Sequence, residues 1–577
     1  MRSSVRGRRA HGWAMTIENR RSRRLRDITR RFASDTRGNI AMISAFVFPV
    51  LLLITFGGID IHRASTVKAN LQDALDAATL AAARSPFTAD ADITRVGLAS
   101  LRANLAPYND ITLLTGQTTF VLDTSTGAVV GDAKVDVTAL VANIILPLVG
   151  RGTGDQIPVG AHSEVLRSNN RVEVALVLDN TGSMAGAKLT NTKAAAIDLI
   201  DRLEAADSRS IEPDAIKISL VPFSQTVRIA AGGSNTVPSY MSNATTHTGG
   251  GAWNATSNPT SLFSAARGRF TLFGDIGTTW GGCVEARLAP YDIRDTAPLS
   301  SDQGRLFVPY FAPDQPDEGD YSDSTWRNYA DEGNDYLEDA RTPGVGGVPS
   351  TVTTTSARET EWGRRLRNRT KYATSYKRSG TLNTNWGPNR GCNLQPLIRL
   401  TDDYDALRDA VDNMIASGNT NVPLGTMWGW HTLSPNAPFG DGRAYGTERL
   451  TKIIIIMTDG ENVMSDASNP NRGTYNGLGY IYQNRLGITS GSDSQRRTAM
   501  DNRFDHPTAG VEDMCGNMKD QDIEVYTVAV QVDSGAQTLL RRCATDADHY
   551  FPVTSASGIG AAFDRIAGAI ENLRISR

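Results

Sequence analysis

Asp179, Thr181 and Ser183 stand at alternate positions directly after the mainly apolar run Val172-Glu173-Val174-Ala175-Leu176-Val177-Leu178. One carboxylate and two hydroxyls on a turn leaving a buried strand can direct their oxygens to one point beyond the strand's carboxyl end. Oxygen donors alone suit magnesium, calcium or manganese and disfavour zinc or copper. The same residue types also cap helix N-termini, so the triplet by itself leaves a cap and a cation site equally open. Two later segments weigh for the cation. Ile453-Ile454-Ile455-Ile456-Met457-Thr458-Asp459-Gly460 is a second apolar run that ends in an acid, and Ser417-Gly418-Asn419-Thr420-Asn421 offers a further hydroxyl in a loop. A strand-ending Asp-Gly turn is common, but it does not account for the whole set.

With these residues in this order the chain resembles the von Willebrand factor type A domain. The metal-ion-dependent adhesion motif of that family pairs an Asp-x-Ser-x-Ser loop with a downstream Thr in a Gly-rich loop and an Asp after a central strand. Carried over, the motif falls on Asp179, Thr181, Ser183, Thr420 and Asp459, with Thr181 keeping the hydroxyl of the motif's first serine. The resemblance implies Mg2+, or Ca2+ or Mn2+ in its place, ligated directly by the hydroxyls. The acids would hold waters or the ion, and an open position would accept an Asp or Glu carboxylate from a partner protein.

The elements that must position these residues alternate from about residue 170: strand 174–178, helix 185–205, strand 216–223, helix 404–416, strand 453–458, helix 508–519, strand 524–530, helix 536–542, strand 549–553 and helix 559–573. Such alternation predicts an α/β unit, a doubly wound, mostly parallel sheet covered by helices on both faces, with ligands at its carboxyl edge. Insertions interrupt residues 170–577 at about 230–400 and 461–505. The first passes from an acidic, aromatic stretch, Asp314 to Asp339, into a basic one containing Arg365 and Lys371. Adjacent blocks of opposite charge are expected to pair with each other or stay solvated; a calcium site on Asp314, Asp317, Asp320 and Asp323 lacks the spacing and bidentate Glu of a helix-loop-helix site.

A chain of 577 residues exceeds what one hydrophobic core organises. Its net charge of −3 hides an asymmetry: residues 1–38 hold twelve Arg against three acids, +9, which leaves 47 basic and 59 acidic residues, −12, for the rest. That basic tail meets the charge-free stretch 40–59, long enough to span a bilayer as a helix. Arginine before the span and its scarcity after it orient the amino end to the cytoplasm. The run is too long for a signal-peptide core, and the arginines suit orientation and anionic lipid better than nucleic acid. Val67, Leu71, Leu75, Ala78 and Ala82 continue outward at helical spacing. Short alternating segments over 109–168 read as a small β-rich unit. The expected order is therefore a basic cytoplasmic tail (1–38), a transmembrane helix (39–62), a pilin-like helical stem (63–108), the β-rich unit (109–168) and the α/β unit (170–577).

Gly38-Asn39-Ile40-Ala41-Met42, Pro49, Asp60 and Leu71-Gln72-Asp73-Ala74-Leu75-Asp76-Ala77-Ala78 resemble the amino terminus of TadE/TadG-like proteins of Flp (tight adherence) pilus assembly. Trp280-Gly281-Gly282-Cys283, Thr426 to Pro435 and Arg541-Arg542-Cys543-Ala544 resemble TadG-type proteins that join such a stem to a type A domain. TadE-type pseudopilins carry a glutamate five residues after a glycine cleavage point; Ile43 stands there, which favours a retained anchor. The resemblance implies a single-pass protein of the bacterial inner membrane whose outer part is periplasmic or extracellular, with pilus or secretion components as partners.

Cys283, Cys392, Cys515 and Cys543 all fall on that outer side, and an even number in an oxidising compartment predicts two disulfides. Three pairings are open in principle; Cys515–Cys543 would flank the strand near 523–530, and Cys283–Cys392 would close the first insertion. No HExxH pair and no P-loop is present. The chain therefore reads as a metal-dependent protein-binding module of adhesion or assembly rather than an enzyme. The alternatives are a metal-dependent hydrolase of surface polymers, or a scaffold whose cation only stabilises loops.

Overall fold

The computed structural model describes residues 39–575 apart from 86, 109–110, 125, 140–155, 168–169, 209, 211, 213, 243–267, 318–333, 340–353, 355–360, 362–364, 367–370 and 465–473. The basic tail and Asp320 and Asp323 lie outside the described residues. The chain divides into two compact units, 1–167 and 168–577.

In the first unit helix α1 (Asn39–Ala83) and helix α2 (Asp90–Leu105) pack on a four-stranded antiparallel sheet of β1 (Ile111–Leu113), β2 (Thr119–Asp123), β3 (Ala128–Thr138) and β4 (Gln156–Leu166). The stripe foreseen on α1 buries Leu71, Leu75, Ala78 and Ala82 completely. Strand β3 alternates buried and open positions, as a sheet with one covered face requires. The approach of helix to sheet depends on Gly131, where a Cβ would lie 2.3 Å from Thr79 Oγ1. The expected membrane span falls in the first half of α1. Among the described residues no helix is long and apolar enough to cross a membrane; the side chains of Ala41, Met42, Leu52, Leu53 and Phe56, all within the apolar run, lie outside the description.

Among the described residues the second unit holds nine strands: β5 (Arg171–Asp179), β6 (Ile216–Phe223), β7 (Val227–Arg228), β8 (Cys283–Glu285), β9 (Val308–Pro309), β10 (Ile398–Thr401), β11 (Leu450–Thr458), β12 (Ile523–Val530) and β13 (Tyr550–Val553). Their order is β13-β12-β11-β5-β6-β7-β8-β9, with β10 also on β6. The first five in this order run parallel, and β7 to β10 join antiparallel. The mostly parallel sheet expected from the sequence is thus corrected to a mixed one. After β6 the chain returns through short hairpin-like strands instead of crossing over by a helix, and these strands carry too few residues to show a period.

Residues of the central strands point alternately to two cores. Val174, Leu176, Leu178, Ile453, Ile455 and Met457 meet helices α3 (Ala187–Asp207), α5 (Tyr404–Asp412) and α10 (Ile559–Ile575). Ala175, Val177, Ile454 and Ile456 meet α6 (Val422–Leu433), α8 (Met514–Lys519), α9 (Ser534–Cys543) and aromatic residues of the first insertion, which also contributes α4 (Arg269–Asp275); α7 (Asp493–Phe504) belongs to the second insertion. Burial on both faces explains the uninterrupted apolar runs. The two disulfides join Cys283 to Cys392 and Cys515 to Cys543, the pairs favoured from the sequence.

The opposed charge blocks of the first insertion pair with each other. Lys371 Nζ lies 2.7 Å from Asp314 and 3.1 Å from Asp339, and Arg378 lies 2.9 Å from Asp317 and 2.8 Å from Asp335. Asp314, Asp339 and Lys371 are fully buried. Buried charges persist only when so matched, and this pairing engages two of the four acids of the calcium alternative.

Candidate functional site

Strands β5 and β11 are parallel neighbours in a register that pairs Met457 with Leu178. Asp179 and Thr458 therefore reach the carboxyl edge side by side, with Asp459 just beyond. Thr458 Oγ1 donates to Asp179 Oδ2 at 2.7 Å, and the Thr181 amide donates to Asp179 Oδ1 at 2.8 Å. The chain then turns through Gly182–Met184, which brings the Thr181 and Ser183 hydroxyls 2.9 Å apart. Ser183 Oγ donates to Asp459 Oδ1 at 2.6 Å. Four of the five residues expected at the site thus form one hydrogen-bonded array.

Thr420 arrives from the loop between α5 and α6. Two backbone bonds lash that loop to the β5 turn: Gly182 N–H donates to Gly418 O at 2.9 Å, and Ser417 N–H donates to Asn180 O at 2.7 Å. Val463 N–H, beyond Asp459, donates to Thr420 O at 2.9 Å. A Cβ placed on Gly460 would lie 3.4 Å from Thr420 Oγ1 and 3.9 Å from Ser183 Oγ. The hydroxyls of Thr420 and Ser183 therefore face one small volume over a residue that carries no side chain. Asp179, Thr181 and Thr420 are buried, whereas Gly182 and Ser183 are exposed and form the mouth.

Burial raises the Asp179 carboxyl to about 6; nearby Asp459 adds to the rise, and the hydrogen bonds from Thr181 and Thr458 oppose it. The Asp459 side chain is fully buried, and the Lys188 ammonium, from the first turn of α3, lies 2.6 Å from its Oδ2. A positive charge therefore already faces this carboxylate. Among the described residues no group of three or more His, Cys, Asp or Glu gathers as a ligand set. The donors here are two carboxylates and three hydroxyls, which fit a hard divalent cation such as Mg2+ and not zinc. Sequence reasoning missed Thr458 and Lys188. Thr458 was legible as the polar residue closing an apolar run; Lys188 differs from Lys193, the other lysine of α3, in its contact, since Lys193 donates to the Asp412 carbonyl.

Residues 38–85 match the family model described as putative Flp pilus-assembly TadE/G-like. No curated protein is similar enough in sequence to count as a match. Among solved structures the chain is similar to the vWF domain of the type V pili tip protein Mfa5 from Porphyromonas gingivalis, at 12% identity and TM-score 0.29, covering 72% of this chain and 98% of that one. It is similar to the pilus adhesin RrgA from Streptococcus pneumoniae at 10% identity and TM-score 0.29, covering 78% and 48%. It is also similar to the pilus adhesin SpaC from Lactobacillus rhamnosus GG at 12% identity and TM-score 0.27, covering 80% and 34%.

Proposed function

We propose that this chain is a membrane-anchored assembly or adhesion protein of a Flp/Tad-type pilus system, and that residues 168–577 capture a partner protein through a divalent cation. The observation that carries the reading is the convergence of three separate segments, Asp179 to Ser183, Thr420 and Asp459, on one volume at the carboxyl edge. When bound, the cation supplies a Lewis-acidic centre for a carboxylate. Thr181, Ser183 and Thr420 would hold it through hydroxyls, and Asp179 and Asp459 would balance part of its charge. With the Lys188 ammonium beside Asp459 the two carboxylates amount to one net negative charge, which leaves a divalent cation short of one more anionic oxygen, so an Asp or Glu of the partner completes the set. This is recognition and not turnover, and the reading is of a binding protein.

Anchoring is proposed from the pilus-assembly match over 38–85 and from the side chains of α1. Ile43, Phe46, Val47, Phe48, Val50, Leu51, Ile54, Ile59 and Ile61 are all exposed. An apolar surface of that length on a helix suits lipid. The unit after the anchor would then lie outside the inner membrane, in the compartment where its two disulfides are stable.

The test is capture of partners from membrane fractions by the purified full chain in detergent, in Mg2+ and in EDTA, beside titration calorimetry with Mg2+ and Mn2+. Capture should require the cation, and Asp179→Ala should abolish both capture and the calorimetric signal while the domain stays folded. Unchanged capture in EDTA, or full cation affinity in Asp179→Ala, contradicts the proposal; a chelator effect on Tm alone would mark a purely stabilising cation.

A further inference from the structure

A cleft of about 310 Å³ opens in the second unit where the first insertion meets the Ser417–Gly418 loop. Its described lining side chains are mostly uncharged and polar, Gln225, Thr384, Asn385, Asn393 and Ser417 among them, with Arg390 as the only charge among the described residues, and its aromatic part includes Tyr310 and Tyr475. Two of the amides are set up to bind. The Gln225 side chain has no hydrogen-bond partner among the described residues, and it stands between two glycines in the left-handed region: a Cβ would lie 2.4 Å from its Nε2 at Gly391 (φ +82°) and 3.5 Å from its Cδ at Gly418 (φ +80°). Any other residue at Gly391 would displace the amide. Asn393 Nδ2 donates to Ser417 Oγ at 2.9 Å, while Asn393 Oδ1 is buried and without a partner.

A buried acceptor left empty is costly, and a ligand that fills it gains that cost back. Gln225 offers donors and an acceptor together. A hydroxyl can donate and accept at once, so neighbouring hydroxyls match this pair of amides. Among the described residues the lining has no carboxylate to hold a cationic ligand and, apart from Ala312, no aliphatic side chain to seat a peptide's apolar residue. Its volume is at the small end of ligand sites.

We propose that this cleft binds one or two residues of a neutral saccharide, independently of the cation. It adjoins the metal-site loop, since Gly418, which lines it, accepts the hydrogen bond from Gly182 between Thr181 and Ser183. The two sites are separable because the sugar-facing groups are amides and none of the five cation-site residues lines the cleft.

The test applies the full chain in detergent and EDTA to an array of neutral and acidic oligosaccharides and of extended peptides, and follows hits by saturation-transfer NMR. Neutral oligosaccharides should bind. Affinity should fall at least about ten-fold in Gln225→Ala and in the isosteric Gln225→Glu, which removes two donors, each checked for unchanged Tm. Asp179→Ala should bind sugar as the wild type does, so failure here leaves the cation reading standing. No binding to neutral sugars, binding confined to acidic sugars or peptides, or binding untouched by both folded Gln225 variants would overturn the proposal.

Discussion

At the scale of single residues, the site separates groups that hold oxygen from groups that hold charge. Thr181→Ser keeps the hydroxyl that reaches Ser183, and cation affinity by calorimetry should change by less than about two-fold. A large loss would show that the methyl matters. In the proposed cation site Lys188 would compete with the ion for Asp459, so Lys188→Met should raise Mg2+ affinity on the order of ten-fold and lower Tm in EDTA, where Asp459 is left buried without its counter-charge. Weaker Mg2+ binding in this variant would make the lysine a supporting residue instead of a competitor.

Asp179 also fixes a pH dependence. Its folded-state pKa is raised from 3.8 to about 6, so the folded state holds the proton more tightly than the unfolded chain. In EDTA its contribution to stability should fall as pH rises from about 4 to about 6, by about 3 kcal/mol in total, and stay level above. Denaturant unfolding of wild type and Asp179→Asn across this range isolates the effect; a wild type that gains stability relative to the variant as pH rises would contradict it. Mg2+ affinity should weaken below about pH 6, where Asp179 takes up a proton.

At the scale of elements, the strands of the parallel core were legible because burial on both faces leaves long apolar runs. Helix α6 was not. All twelve of its residues are buried, including His431 and both tryptophans, so no polar face marks a period in the sequence. Its glycines explain how it fits: a Cβ at Gly425 would lie 2.4 Å from the Phe223 ring, and one at Gly429 2.3 Å from Val177 Cγ2. Gly429→Ala gains helix propensity of about 1 kcal/mol, but overpacking of a closed core costs about 1–3 kcal/mol. We expect a lower Tm and weakened cation binding, since Thr420 stands just before this helix; a more stable variant would show that the interface can yield. That Asp179, Thr181, Ser183 and Asp459 would come together was readable from types and order, but Lys188 and the cleft around Gln225 required the fold, because their neighbours are far away in sequence.

For the whole molecule, the amino-terminal helix and the small β-rich segment foreseen separately share one unit, and the disulfides lie in the other. The pairing was readable because each bridge closes a recognisable stretch, 109 and 28 residues apart. In the chain-entropy model each contributes about 3–5 kcal/mol, so reductant should lower Tm markedly, and non-reducing electrophoresis should show a faster band than reducing. With the proposed orientation, protease added to spheroplasts should digest the chain after residue 85 and spare the amino tail. A protected carboxyl-terminal unit would reverse the topology while leaving the cation site intact.

Strand β5 begins three residues after the second unit does and ends on Asp179. If a partner is held at the cation and the anchor holds the other end, tension enters the unit through this strand, over nine residues or roughly 30 Å, and leaves through the loop at its end together with the Thr420 and Asp459 segments. It lies between β11 and β6, parallel to both, so a pull along its axis loads two ladders of hydrogen bonds in shear, all at once, instead of peeling them one by one. The position that puts the acid at the sheet's edge would also make β5 a tensile member, stiff along the line on which the anchored binding protein proposed above is pulled.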